Sequence, residues 1–553
     1  MGEVVRDQMI TEEIRCCILA SCKDIAKSHN LISVGAYGSR VSGYARKDSD
    51  YDVILVLEDF DEYVRYYYNQ MNGNQFAVLA VDKKALEMDA EKGALGDFVV
   101  GRLLSPYLPI LNPEYLRSIE LETKRRFVIE DLEDLIIEYG ELSRGLVVKL
   151  DYLVLCRMKK RATSYPPLKY SYVKMLSPEL RERNMKAILE GYVEVLKGLV
   201  KLKMIKFDGE NLIINNGYID NILSFKIHRR VVNLMEFSRR AFHSYVTHGR
   251  AGRVKLDVVA KELASKIKRE LRIALNGQDL EDPKNYLFLK TGESLISLSE
   301  RRSIKDFISK LECNENVVIS PLAGALNEVY LIRVGSERLV AKKFTDWFNI
   351  KWFALNVVAY GTKIFTLSGK ARLSNEFGMN RLLDENGIPV PEIVHVNIQE
   401  RLLVEQFIEG ISTLDIIRDA VRTDSLASEY KKYVFETGRT MAKMHSLDVT
   451  LGDCKPENFI VSNGKVYVLD LEQSERKGDK VWDVAEFCYY SGHYGSILSG
   501  GLQQFIQSFI EGYAQEGDKK ILRKASQLGY GRVFFVWTPM SIIQGIASIL
   551  KAS

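Results

Sequence analysis

Residues 451–460 read Leu-Gly-Asp-Cys-Lys-Pro-Glu-Asn-Phe-Ile, and the apolar run from Val466 to Leu469 ends in Asp470. An Asp, a Lys and an Asn at short fixed offsets, followed by a second Asp at the end of a strand, suit transfer of a phosphoryl group from ATP. Asp453 can accept the proton of an attacking hydroxyl, and Lys455 can neutralise charge on the transferring group. Asn458 and Asp470 can hold Mg²⁺ or Mn²⁺ on the ATP phosphates. A carboxylate is needed where a proton or metal is bound, a cation where phosphate charge builds up, and an amide oxygen where one more hard ligand completes the shell.

A second stretch, residues 38–58, reads GSRVSGYARKDSDYDVILVLE. Residues i and i+2 of a strand face the same side, so Asp50 and Asp52 can chelate a metal together. Gly38 lets backbone approach a phosphate, and Ser39 opens a helical turn whose N-terminus favours anions.

The first stretch, GDCKPEN, resembles the catalytic loop of protein kinases, with Gly452 where their Arg stands. Its Leu-Gly-Asp opening, and Asp470-Leu471-Glu472 in place of Asp-Phe-Gly, are more similar to atypical kinases: the RIO kinases, the small kinase of the KEOPS complex and aminoglycoside phosphotransferases. The second stretch resembles the DNA polymerase β nucleotidyltransferase superfamily. That resemblance implies a third carboxylate on a neighbouring strand. The candidate strand, Phe76 to Val81, carries none inside it, so Asp82 at its end is the candidate ligand, although the apolar alternation puts the usual acidic position near Ala77. Active nucleotidyl transfer and a nucleotide-binding relic both stay open.

Other elements must position these groups. Val317 to Ile319 and the segment GALNEVYLIRV are expected as two strands around a loop with one glycine, Gly324, similar to the phosphate-covering loop of atypical kinases. In the next strand, LVAKKF, one of Lys342 and Lys343 should reach the α and β phosphates. Matching to the small kinases favours Lys342 and a Val-Ala-x-Lys register favours Lys343. Glu376, on a helix, is the expected partner of that lysine; the alternative is a surface i, i+4 ion pair with Arg372. Backbone groups from Glu405 to Phe407 are expected to read the adenine edge. Asp483, in the stretch DKVWDVA, is expected to buttress the catalytic loop. The aromatic stretch between Thr345 and Lys370 could form a lid or a partner-docking surface, and is read here as a strip packing against the amino-terminal half. No activation loop with an obvious phosphosite and no Ala-Pro-Glu follow, so the peptide-docking platform of ordinary protein kinases is not visible, and the acceptor hydroxyl is left open between a protein and a small molecule.

At roughly 150 residues per domain, 553 residues hold about three or four domains. The net charge of +4 is unevenly spread: from Asp151 to Arg272 there are 26 Lys and Arg against 12 Asp and Glu. Helices are expected over Glu120 to Tyr139, Leu142 to Arg161 and Leu180 to Met204, with a hairpin turning at Asp208-Gly209. The run from His228 to Lys255 interleaves basic and aromatic residues and could track an RNA backbone; a solvated helix face is the plainer reading. His243 and His248, five apart, are read as structural, and Asn276 to Asn285 as a linker. Seven cysteines without a CxxC pair imply neither a zinc site nor a disulfide framework, so a cytoplasmic setting is expected. Val533 to Leu550 reads as a buried terminal helix rather than a membrane span, and no membrane partner is expected.

The expected fold class is α+β and multidomain: a mixed nucleotidyltransferase sheet with helices (1–115), a basic helical connector with a small wing (116–290), and a bilobal protein-kinase-like fold (291–553, its lobes meeting near 405). The function expected is transfer of the γ-phosphoryl of Mg-ATP to a hydroxyl. The rival reading is a nucleotide-sensing, RNA-binding regulator with one or both sites inactive.

Overall fold

The computed structural model describes residues 10–225, 235, 239–241, 243–244, 246–247, 251–252, 279–292, 294–299, 307–309, 317–322, 327–346 and 366–553. The chain forms two compact units. One comprises Met1–Glu138 and Val147–Leu287, the other Tyr139–Leu146 and Phe288–Ser553. Among the described residues no helix is long and apolar enough to cross a membrane.

The amino-terminal unit opens with α1 (Glu12–Ala26), capped by the Thr11 hydroxyl, which accepts the Ile14 N–H, and with Glu12 and Glu13 in its first turn. A five-stranded sheet follows: β1 (Leu31–Tyr37), β2 (Tyr51–Leu57), β3 (Val64–Met71), β4 (Asn74–Asp82) and β5 (Leu108–Leu111), in the order β3-β4-β2-β1-β5. β2 and β4 run parallel; the other neighbours are antiparallel. Central strands buried on both faces are apolar throughout, which is why Val53 to Leu57 has no polar alternation. Val53, Leu55 and Leu57 pack with α1 residues. Ile54 and Val56 pack on the opposite face with α2 (Lys83–Lys92). By the strand period of two, Asp50 and Asp52 belong to that second face.

Next come α3 (Pro113–Tyr139), β6 (Leu146–Val148), α4 (Leu150–Ser164), α5 (Leu168–Met175), α6 (Pro178–Lys201), the hairpin β7 (Ile205–Asp208) and β8 (Asn211–Ile214), and α7 (Asn216–Ser224). The hairpin turns at Gly209, at φ +61°, and β8 pairs with β6. The helix expected from Leu142 is replaced by a 3₁₀ turn, Gly140–Gly145, and a short strand; α4 starts only at Leu150. Gly140 lies at φ +61° and β-branched Val147 and Val148 favour the strand.

The larger piece of the carboxyl-terminal unit starts at Phe288, within the hairpin of β9 (Leu287–Thr291) and β10 (Ser294–Ser297). An antiparallel sheet follows, of β11 (Val317–Leu322), β12 (Glu328–Val334), β13 (Glu337–Lys343), β14 (Ile393–Asn397) and β15 (Leu402–Gln406), in the order β11-β12-β13-β15-β14. α8 (Gly369–Glu385) runs between β13 and β14 in the chain. Residues 139–146 pack on it. Leu142 N–H donates to Ser374 Oγ (3.1 Å), whose hydroxyl donates to the Tyr139 carbonyl (3.1 Å). At Gly378 a Cβ would stand 2.4 Å from the Glu141 carbonyl oxygen, so only glycine admits this approach.

The rest of the unit is mostly helical: α9 (Thr413–Thr423), α10 (Ser428–Ser446), α11 (Lys480–Ser491), α12 (Gly500–Glu516), α13 (Lys519–Ala525) and α14 (Met540–Ala552), with the short strands β16 (Ile411–Ser412), β17 (Val449–Thr450), β18 (Phe459–Ser462), β19 (Lys465–Val468) and β20 (Glu475–Arg476). Met441, Phe459, Phe487, Phe505, Phe509 and Tyr513 lie at the centre of its core. The terminal helix starts at Met540, after Pro539, and not at Val533; Phe535 and Val536 are exposed.

Candidate functional site

β13 carries two consecutive lysines, and the fold sends them to opposite faces. Lys342 Nζ lies 2.7 Å from Glu376 Oε1 on α8 and 2.9 Å from Glu405 Oε1 on β15. Lys343 is exposed and pairs with Glu328 at 3.4 Å. Burial works against the Lys342 charge, but Glu376, Glu405 and Asp470 more than offset it and hold the ammonium well above its usual range. Burial pushes the Glu376 carboxyl up to about 7, with Lys342 opposing and Glu405 adding to the rise.

The alternative partner for Glu376 does not form. Arg372, fully buried, turns instead to Glu472: Nη1 lies 3.0 Å from both carboxylate oxygens and 2.8 Å from Asn327 Oδ1, while Nη2 donates to the Thr345 carbonyl. Asn327 Nδ2 donates to Glu472 Oε2 (2.7 Å) and Asn375 Nδ2 to the Glu472 carbonyl (3.2 Å). Glu472 stands two residues after Asp470, so this network fixes the chain just beyond the carboxylate expected to hold metal. Burial lifts Glu472 to about 7. Sequence reasoning had not singled out Glu472 as a site residue; its departure from glycine in the Asp-Leu-Glu motif was the only signal.

The loop from Leu451 to Asn458 is held by α11. Asp483, with no exposed surface, accepts the N–H of Gly452 (2.9 Å) and of Leu451 (2.7 Å), and His445 Nε2 lies 3.2 Å from it. Glu486 accepts from Cys454 N–H (2.7 Å) and Trp482 Nε1 (3.0 Å). Above them Lys455 Nζ lies 2.8 Å from Asp453 Oδ1. Burial opposes the Lys455 charge, and Asp453 then Glu486 raise its pKa above the usual range. Asn458 donates its Nδ2 to the Asp453 carbonyl (2.8 Å), which leaves Oδ1 as the side-chain atom able to ligate a hard cation. Asp470 follows β19 at φ +58°, an unusual conformation for a residue with a side chain. Burial pushes its carboxyl up to about 7, with Glu376 and Asp453 adding to the effect and Lys342 and Lys455 opposing it. An amide oxygen and a carboxylate suit Mg²⁺, which takes one or two protein ligands and completes its shell with substrate phosphates.

Beyond Glu405 the backbone is partly committed. Gln406 N–H donates to Glu392 (2.8 Å) and Phe407 N–H to Arg338 (3.0 Å). Arg338 also lies over the Phe407 ring at 5.1 Å. The N–H groups of Gln406 and Phe407 are thus engaged within the fold, while that of Ile408 has no hydrogen-bond partner among the described residues. Gly324 lies outside the described residues, as do most of the Thr345 to Lys370 stretch and of the basic run from His228 to Lys255, including His248.

In the amino-terminal unit Asp52 pairs in register with Tyr37 on β1 and with Ala77 on β4, and Ala77 with Tyr68 on β3. Gly38, at φ +79°, precedes the helical turn opened by Ser39; a Cβ there would fall 2.0 Å from Asp52 Oδ2. Asp50 precedes β2, so the two carboxylates, Gly38 and Ser39 share one corner of the sheet. Asp82 does not join them. It pairs with Leu57, five residues along the strand, and caps α2: its carboxylate accepts Ala85 N–H (3.0 Å) and Phe60 N–H (3.1 Å). The position beside Asp52 belongs to Ala77. Arg102 adds positive charge toward Asp52, and lies 5.6 Å from the Tyr37 ring centre and 3.3 Å from Tyr66 OH.

Part of the connector's basic excess is neutralised inside the fold. Arg157 pairs with Glu130 (3.1 Å) and Asp131 (2.7 Å), and Lys160 with Asp131 (2.7 Å) and Asp134 (2.5 Å).

Residues 362–489 match the model of the lipopolysaccharide kinase (Kdo/WaaP) family, and residues 18–161 that of the nucleotidyltransferase domain. The chain is 24% identical over 165 residues to the KEOPS complex subunit Bud32 of Pyrococcus abyssi, which covers 29% of this chain and 72% of that protein. It is 25% identical over 165 residues to a probable bifunctional tRNA threonylcarbamoyladenosine biosynthesis protein of Methanobrevibacter smithii, covering 29% of this chain and only 28% of that protein's length. Among solved structures, the choline kinase LicA of Streptococcus pneumoniae aligns with a TM-score of 0.25 at 18% identity, over 45% of this chain and 99% of that one. The chain carries an amino-terminal nucleotidyltransferase domain and a carboxyl-terminal kinase-like domain, the latter similar to the Kdo/WaaP family.

Proposed function

We propose that the carboxyl-terminal domain transfers the γ-phosphoryl group of ATP to a hydroxyl of a protein or small molecule. The observation that carries this reading is the convergence of Lys342, held by Glu376, with Asp470, Asp453 and Lys455, linked through one set of charge interactions. Lys342 orients the α and β phosphates, and Glu376 fixes its head group. Asp453 orients the acceptor hydroxyl and takes its proton, and Lys455 balances charge on the transferring group. Asn458 and Asp470 would hold Mg²⁺, which when bound neutralises the phosphate charge. Asp483 and Glu486 keep the loop in shape without touching substrate.

For the amino-terminal domain we favour nucleotide binding without turnover. Two carboxylates, Asp50 and Asp52, face a site whose third position is Ala77, and Asp82 is engaged as a helix cap. A two-metal displacement needs a fuller ligand set.

The test is incubation of the purified chain with Mg²⁺ and ATP labelled at the α or the γ phosphate, with total cellular protein, RNA and small hydroxyl compounds as acceptors. Label from γ that is lost in Asp453→Ala and Asp470→Asn is expected. Undiminished γ transfer in those variants would refute the kinase assignment. Label from α that is lost in Asp50→Ala would overturn the relic reading.

A further inference from the structure

Two carboxylate oxygens at the head of this site lack a partner among the described residues. Glu376 Oε2 and Glu405 Oε2 are both buried without a hydrogen-bond partner among the described residues, in residues only 2% and 4% exposed. Lys342 occupies the other oxygen of each, and Glu376 is accounted for as the residue that fixes the lysine. Glu405 is not needed for that, and a buried carboxylate oxygen left unpaired is costly, so its retention calls for a donor.

Its place on β15 says which donor. Lys342 pairs in register with Leu403, and Glu405 follows two residues on, so Glu405 lies on the face of the sheet that carries the lysine. The next residues turn their peptide groups alternately. Phe407 N–H bonds toward β13 and Gln406 N–H toward Glu392 at the other edge, the edge that alternation assigns to Ile408 as well. There the Gln406 carbonyl is followed by the Ile408 N–H, which has no partner among the described residues. An acceptor followed by a donor complements the edge of adenine, which offers an amino donor beside a ring-nitrogen acceptor. The amino group has two hydrogens, and the Gln406 carbonyl takes one.

Resting on the kinase reading above, we infer that Glu405 is a specificity-determining residue whose free carboxylate oxygen accepts the second hydrogen of the adenine amino group. Guanine presents a carbonyl oxygen at that place, which would face both the Gln406 carbonyl and the Glu405 carboxylate, acceptor against acceptor. Cytosine repeats adenine's donor-acceptor edge and uracil repeats guanine's mismatch, so the preference should follow the amino group and not the size of the base.

The test is calorimetric titration of the full chain with MgATP, MgGTP, MgCTP and MgUTP, comparing the native chain with Glu405→Leu, Glu405→Gln and Lys342→Met, the last as the blank that silences this site. A hydrogen bond to a charged group predicts that the native chain prefers ATP over GTP by about tenfold to a hundredfold, and CTP over UTP in the same sense. Glu405→Leu should bring each pair within about threefold, and Glu405→Gln, which keeps one acceptor oxygen, should fall between. If Glu405 serves only as a counter-ion for Lys342, both substitutions will shift all four nucleotides by one common factor, and the inference falls. Equal affinity of the native chain for ATP and GTP overturns it as well. Titrations no different from Lys342→Met would show that the site holds no nucleotide, which removes the kinase reading and this inference with it.

Discussion

Replacing Asp483 should separate loop positioning from nucleotide binding. Its carboxylate accepts two backbone N–H groups, Leu451 at 2.7 Å and Gly452 at 2.9 Å, and His445 Nε2 lies 3.2 Å away, all without exposure to water. Asp483→Ala leaves both N–H groups buried and unpaired. At roughly 1–3 kcal/mol for each stranded donor, the pair costs about 2–6 kcal/mol, a large share of the roughly 5–15 kcal/mol that holds a typical domain together. Asp483→Asn keeps one acceptor oxygen and should cost about half as much. Both can be read from urea unfolding followed by tryptophan fluorescence, since Trp482 Nε1 donates to the Gly452 carbonyl at 3.1 Å and reports on this loop. Asp453 lies one residue beyond Gly452, so its displacement should lower kcat by about tenfold to a hundredfold while ATP affinity, set by Lys342 and the β15 edge, moves by less than about threefold. Native unfolding midpoints and an unchanged kcat in both variants would refute the positioning role.

Lys342→Met should abolish ATP binding at the kinase site, whereas Lys343→Met should leave it intact, because Lys343 is exposed and bound to Glu328; equal losses in the two would contradict the assignment. Ala77→Asp should raise Mn²⁺ affinity at the Asp50-Asp52 corner, measured by calorimetry. Asp82→Ala should leave metal binding alone and cost about 0.5–2 kcal/mol through the lost cap of α2. Glu472 has a folded pKa of about 7 against an ordinary value of 4.5, so the fold binds its proton more tightly than the unfolded chain does. Its contribution to stability is therefore greatest below about 4.5 and is lost as pH rises through about 7. Melting of Glu472→Gln should depend less on pH between 5 and 8 than melting of the native chain, and parallel pH profiles would argue against it.

The residues of the candidate site were legible because the phosphoryl transfer proposed for them needs particular residue types at short spacings: Lys455 pairs with Asp453, Asn458 donates to the Asp453 carbonyl, and Asp453 and Lys455 both bear on the charge of Asp470. What depends on strand faces or on distant partners was not. Alternation within LVAKKF is the same whichever lysine points inward, and only α8 and β15 decide for Lys342. The i, i+4 spacing of Arg372 and Glu376 suggested a surface pair, yet Arg372 is bound to Glu472, 100 residues away in the chain. Asp82 was an acid at a strand end, and nothing local separates a metal ligand there from a helix cap. The apolar content of Val533 to Leu550 hid the break that Pro539 imposes.

Residues 139–146 lie in sequence between stretches of the amino-terminal unit, yet they supply Leu142 N–H and the Tyr139 carbonyl to Ser374, and fill the notch at Gly378 on the helix that bears Glu376. The carboxyl-terminal unit is thus encoded in two separate pieces. A gene rearrangement that moved only codons 288–553 would deliver a kinase unit without the peptide that covers Ser374 and Gly378. The two halves of this protein are therefore poor candidates for exchange as independent cassettes, and substitutions at Gly140, Glu141 and Gly378 should be inherited as a set.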